Sequence, residues 1–202
     1  MWNKGLSYRE RHGLIEKDTN TKLNDDVNST IDKAKYHHSL GLVFFPAFDW
    51  KISETHPERQ ERLLYTRDQI VEEGLLDIPN IREYNPIVAD WDTIERVHVG
   101  APDLESWVTE AHRVSAGGAI AAADAVMCGE VDRAFALVRP PGHHAMAMVH
   151  GIRGFCTINI EAVMIQHIRQ TYGIKRVAVV DTDVHHGDGS QDVFYHEIGR
   201  AS

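Results

Sequence analysis

Three short apolar runs constrain this chain more than any other feature. Gly41-Leu42-Val43-Phe44-Phe45, Ala134-Phe135-Ala136-Leu137-Val138 and Arg176-Val177-Ala178-Val179-Val180 carry almost no polar alternation. A strand that is apolar on both sides must be covered on both faces, as strands of a parallel sheet are. Helically spaced segments lie between the runs. His56-Pro57-Glu58-Arg59 reads as a helix start, with Pro57 at the first position and Glu58 and Glu61 in the first turn. Leu63, Leu64, Ile70 and Val71 continue it, and Gly74 stops it. A second helix is expected near Asp90 with Ile94 and Val97, and an Ala-rich third from about Leu104 to Met127, stopped by Gly129. A fourth runs from about Ile160 to Tyr172, stopped by Gly173. The alternation predicts an α/β fold: three layers, a mostly parallel sheet with helices on both faces.

Residues 1–39 are polar and irregular, with Asn, Asp, Thr and Lys dominant from Lys17 to Lys35, and are expected to form a peripheral arm. Residues 40–202 hold no linker or repeat and read as one α/β domain. A chain of 202 residues suits one domain and buries roughly 70% of its unfolded surface.

Charge and apolar patterning narrow the class. Lys plus Arg is 21 and Asp plus Glu is 30, a net charge of −9. That balance disfavours nucleic acid as a direct partner and suits a cationic substrate. No apolar run reaches the ~18 residues of a membrane span, and the N-terminus lacks a signal peptide's apolar stretch, so export is not expected. Cys128 and Cys156 make no disulfide framework, and a reducing cytoplasm is the simpler setting. Cys156 reads as a small packed residue rather than a nucleophile.

Thirteen histidines include three adjacent pairs: His37-His38, His143-His144 and His185-His186. A lone pair is usually structural or superficial, which is the reading for His37-His38, as for the single His12, His98, His112, His167 and His196. His56 suits a helix cap. The other two pairs follow predicted strand ends, where open α/β sheets bind ligands. In Asp181-Thr182-Asp183-Val184-His185-His186-Gly187-Asp188-Gly189, an extended chain points Asp181, Asp183 and His185 to one face. Carboxylate with imidazole suits zinc or a similar divalent ion. Asp188 and the two glycines beside it are expected to form a tight turn that can return a further carboxylate. His143 and His144 suit acid–base work, each needing an acceptor on its far nitrogen, for which Asp181 and Asp188 are available.

With these motifs in order, the sequence resembles the zinc-dependent histone deacetylase family, including its bacterial deacetylase-like and acetylpolyamine amidohydrolase members. The matching segments are His56-Pro57-Glu58-Arg59, Arg139-Pro140-Pro141-Gly142-His143-His144-Ala145, Gly154-Phe155-Cys156 and Asp181 to Gly189, within about Gly41 to Ile198. The Arg-Pro-Pro-Gly lead is similar to the class II branch. The resemblance implies an arginase–deacetylase fold and hydrolysis of an N-acetyl amide, on a protein lysine or a polyamine, to acetate and free amine. It implies Asp183 and His185 as zinc (Zn2+) ligands, His144 as base and acid oriented by Asp188, and His143 as electrostatic partner oriented by Asp181. It implies Phe155 on an acyl-lysine tunnel, a Gly154 carbonyl accepting the substrate amide N–H, and a K+ ion held near Asp181, Asp183 and His185 mainly through backbone oxygens.

The pattern departs in three places. The family's third zinc ligand, an Asp on a later strand, and its oxyanion-stabilising Tyr have no matching position before Ser202, so the domain reads as truncated. Met146 to Arg153 is slightly longer than the usual loop and adds His150 at the rim. Gly100 to Gly118 is compact, and neither Asp103 nor Glu105 is assigned as a substrate-binding acid. A sheet cut midway exposes an edge, so the chain alone is expected to aggregate or to pair as a homo-oligomer. The alternatives are a non-catalytic deacetylase-like binding module and an arginase-like ureohydrolase. The latter wants two metals and more carboxylates, and Gly142-His143-His144-Ala145 argues against it.

Overall fold

The computed structural model of the chain describes residues 38–99 and 104–195. Most of the expected arm, with His12 and His37, and also Asp103 and His196, lie outside the described residues. Among the described residues three parallel strands form the sheet: β1 (Leu40–Phe45), β2 (Ile81–Tyr84) and β3 (Arg133–Val138), in the order β2-β1-β3. In register, Phe44 lies beside Leu137 and Phe45 beside Val138. Alternation along the strands sends side chains to two faces, and both are covered. Leu42 and Leu137 pack with Leu63 and Ile70 of helix α1 (Gln60–Glu72) on one face. On the other, helix α4 (Glu110–Met127) comes so close that a Cβ on its Gly118 would meet Val138 at 2.7 Å and Val43 at 3.5 Å. Helix α5 (Ile160–Tyr172) lies beyond α4, with Ala162 and Val163 in the same core as Ala116 and Ile120.

Local chemistry accounts for most element ends. Asp90 caps helix α2 (Trp91–Val97) by accepting the Thr93 N–H at 2.7 Å, and Asn159 caps α5 through Ala162 at 2.9 Å. Gly173 ends α5 at φ 68°. β2 is one edge of the sheet among the described residues, and its Ile-Arg-Glu-Tyr sequence is too polar to stand out as an apolar run.

Three expectations are corrected. First, α1 begins at Gln60, not at Pro57, because the Glu58 carbonyl accepts from Arg139 instead of opening the helix. His56 therefore does not cap it; its Nδ1 accepts the Glu58 N–H at 3.0 Å. Second, the long third helix is two, α3 (Leu104–Trp107) and α4, broken where Thr109 turns extended and pairs with His112 in a reciprocal cap. Third, Arg176–Val180 is not a strand among the described residues: it has no ladder partner, and Val180 is 84% exposed. An apolar run favours extended backbone, but pairing needs a neighbour that the run itself does not specify. After it comes a short helix, α6 (Asp188–Phe194), where the sequence suggested only a turn.

Candidate active site

The His pair sits where β3 leaves the sheet, and a buried arginine fixes that exit. The Arg139 Nη1 donates to the carbonyls of Pro46 and Ala47 at 2.8 Å and of Trp50 at 3.1 Å, its Nε to Glu58 Oε1 at 2.8 Å, and its guanidinium covers the Trp50 ring. The loops after β1 and β3 are thereby tied together. The turn closes with Ala145 N–H donating to Gly142 O at 2.9 Å. From the other side, Ser190 N–H donates to the His143 carbonyl at 3.0 Å. That approach requires Gly189, whose Cβ would lie 2.3 Å from the His144 carbonyl carbon. Asn159 Nδ2 donates to Ala145 O and to Ser190 Oγ, joining the two loops to the start of α5.

Each histidine of the pair meets its own carboxylate. His143 Nδ1 lies 2.9 Å from Asp181 Oδ2, and His144 Nδ1 lies 2.7 Å from Asp188 Oδ1. An ionised carboxylate only accepts, so each Nδ1 carries a proton and donates to its carboxylate. The two rings are 4.1 Å apart, and the His185 ring is 6.2 Å from that of His144. The His144 bond, with help from Arg153, holds the Asp188 carboxyl down at about 2; the His143 bond and the Asp183 N–H lower that of Asp181. The Asp183 and His185 side chains lie together, Oδ1 to Nδ1 at 3.2 Å, and the His185 N–H donates to Asp183 Oδ1 at 2.8 Å. That bond is the main reason the Asp183 carboxyl is lowered.

A tight turn forms the facing wall. Arg153 and Cys156 exchange two backbone hydrogen bonds of 2.8 Å, with Gly154 (φ 49°) and Phe155 (φ 77°) between them. A Cβ on Gly154 would come within 2.3 Å of His144 Cδ2, so only glycine lets the wall touch the ring. Phe155 stands edge-on to His56 with centroids 4.5 Å apart. Cys156 is buried, and burial pushes its thiol up to about 12, as befits a packed residue. Beside His143, a cavity of about 470 Å³ is lined by Asp181, Asp183 and Glu161. Among the described residues the buried Glu161 Oε2 has no hydrogen-bond partner, and burial raises its carboxyl's pKa.

The histidines set aside in sequence lie elsewhere. His98 and His112 are buried, and burial pushes each down to about 4. His98 bridges Met146 O and the Asn159 N–H, while His167 pairs with Asp124 at 2.8 Å. Sequence reasoning passed over Arg139, Glu58, Arg153, Asn159 and Glu161 as site residues. The Arg-Pro-Pro-Gly lead was the available signal for the first; nothing local marks its partner 81 residues away.

Residues 103–199 match the histone deacetylase domain family. A probable deacetylase of Archaeoglobus fulgidus is 38% identical over 176 residues, covering 78% of this chain and 48% of the relative. The chain belongs to the histone deacetylase family. A histone deacetylase-like amidohydrolase of Pseudomonas aeruginosa is 50% identical over 86 residues (43% of this chain, 22% of that protein), and the polyamine deacetylase HDAC10 of Mus musculus 32% over 168 residues (72% and 25%). The crystal structure of an HDA15 HD domain superposes with a TM-score of 0.65 at 28% identity, over 77% of this chain and 50% of that one. The three-layer architecture is therefore of the arginase–deacetylase type. The chain spans about half the length of its archaeal relative, and less of the other two.

The zinc that this histone deacetylase family implies finds a partial fit. Two ligands at ~2.1 Å on a tetrahedral ion are about 3.4 Å apart. The 3.2 Å between Asp183 Oδ1 and His185 Nδ1 is close to that edge. Among the described residues, no third His, Cys, Asp or Glu joins them as a ready-made cluster. No helix among the described residues is long and apolar enough to cross a membrane.

Proposed function

We propose that this chain carries the acid–base machinery of a zinc-dependent amidohydrolase that removes the acetyl group of an N-acetyl amide, from a protein lysine or a polyamine, giving acetate and a free amine. The supporting observation is that two adjacent imidazoles, each with its own carboxylate at 2.7–2.9 Å, stand beside the Asp183–His185 pair. Zinc, when bound, polarises the acetyl carbonyl and acidifies an attacking water. Asp183 and His185 would hold it, with a third ligand from outside the pair.

His144 receives the water proton on Nε2 and hands a proton to the leaving amine nitrogen, while Asp188 holds Nδ1. His143, held by Asp181, is the electrostatic partner for the negative charge that develops on the acetyl carbonyl oxygen. Phe155 lines the channel for the acyl-lysine stem, and the Gly154 carbonyl accepts the substrate's amide N–H. Backbone oxygens of Asp181, Asp183 and His185 would bind K+. The net charge of −9 favours a cationic polyamine or lysine-rich substrate, and two free cysteines accord with a reducing cytoplasm.

His144→Ala in the full protein tests the reading. Turnover of an acetyl-lysine peptide or an acetylpolyamine should fall roughly 10²–10⁴-fold with zinc still bound; unchanged turnover would overturn the role.

A further inference from the structure

We propose that Arg153 is a positioning residue for His144, acting through Asp188 and through the turn that faces the ring; this rests on the reading of His144 as the base. The Asp188 carboxylate is divided between two partners. Its Oδ1 meets His144 Nδ1 at 2.7 Å, and its Oδ2 accepts from the Arg153 Nη2. A carboxylate held by one oxygen pivots about its Cβ–Cγ bond. A charged hydrogen bond on the second oxygen fixes the plane of the group, and with it the direction of the first bond.

The same residue builds the wall in front of the ring. Arg153 closes the Gly154–Phe155 turn through its two backbone bonds to Cys156, and that turn lies against His144 Cδ2. Arg153 thus fixes His144 from behind, through a carboxylate, and from in front, through a backbone contact. The neighbouring pair is built differently. The second oxygen of Asp181 accepts the N–H of Asp183, two residues along the same segment. Asp181 is held locally, whereas Asp188 is held by a side chain 35 residues away, at the end of the loop from Met146 to Arg153. The seating of that loop therefore sets the aim of His144 and leaves His143 alone.

The Arg153 side chain is 57% exposed, so removing it opens no core. Its effect should appear in turnover rather than in folding.

The test uses the full protein, an acetyl-lysine peptide as probe, and three variants. Arg153→Met keeps the stem and loses the charge and donors. Arg153→Lys restores the charge with one directed donor, and His144→Ala reports on the base. The expected result is a kcat about tenfold lower in Arg153→Met with KM within about twofold, largely recovered in Arg153→Lys, and an unchanged melting temperature. In ¹⁵N-labelled protein, the His144 Nδ1–H resonance should exchange with water faster in Arg153→Met than in wild type or Arg153→Lys. Full kcat in Arg153→Met alongside a dead His144→Ala would overturn this inference and leave the base assignment standing. A kcat loss that lysine does not recover, with a lowered melting temperature, would make Arg153 structural and also overturn it. Turnover surviving in His144→Ala would remove the base reading and this inference with it. If the wild type does not hydrolyse the probe, an Nδ1–H resonance unmoved in Arg153→Met would overturn the inference directly.

Discussion

Arg139 and Glu58 meet as a buried ion pair, Nε to Oε1 at 2.8 Å, with side chains 0% and 8% exposed. The guanidinium also has four backbone carbonyls and an aromatic face, so its charge is fully partnered. Breaking such a pair leaves a charge stranded in low dielectric. Glu58→Gln should therefore cost about 3–5 kcal/mol of stability. Arg62 also reaches Glu58, but its side chain is half-exposed, and Arg62→Ala should cost less than about 1 kcal/mol. Urea unfolding of both variants checks the contrast; equal losses would deny Arg139 its role as the tie beneath the site.

Asp188→Asn keeps the shape of the group and replaces an obligate acceptor with an amide that can present either end to His144 Nδ1. Turnover should fall roughly 10- to 100-fold, as for other groups that orient a catalytic or ligating histidine. Steady-state kinetics with the zinc content measured alongside gives the answer. Wild-type turnover would mean that the 2.7 Å contact does not orient the ring.

Gly154→Ala places a methyl group 2.3 Å from His144 Cδ2 and forces an L-residue to hold φ 49°. The backbone strain alone is about 1–2 kcal/mol. The ring must also tilt, so kcat should drop further than stability does. Parallel melting curves and kinetics separate the two effects, and a stability loss with intact kcat would contradict the contact.

Acid should weaken the fold before the site carboxylates are protonated. His98 and His112 are buried neutral, their pKa values pushed by burial from 6.5 to about 4. The unfolded chain takes up these protons below about pH 6.5 while the native state refuses them until about pH 4. Stability is thus full above pH 6.5 and lost as pH falls through this window, by up to about 3 kcal/mol for each residue. The site carboxyls are lowered, Asp188 to about 2, so their contribution is lost only at lower pH. Urea midpoints at pH 7.5 and pH 5 test this; a flat profile would show that the two imidazoles are already charged in the native state.

Much of this architecture was legible because it is encoded locally. β1, β3, α2 and α5 follow from apolar runs, an Asp or Asn before a helix and a Gly after it, features that act within four residues. The Asp183-x-His185 spacing likewise keeps two ligating side chains together through short-range bonds. The start of α1, the break before α4 and the fate of Arg176–Val180 were not legible, because each depends on a distant partner or on the lack of one.

The sequence by itself determined the chemical inventory: two imidazoles, the carboxylates to orient them, an Asp–His pair and the glycines that allow close approach. Tertiary structure alone decided the assembly. It set Asp188 between His144 and Arg153, residues 44 and 35 positions away, and Arg139 onto Glu58 across 81. The physical reason is range. Propensity and periodicity act over one or two turns of chain, whereas an ion pair or a strand ladder forms only once the fold has brought its halves within about 3 Å.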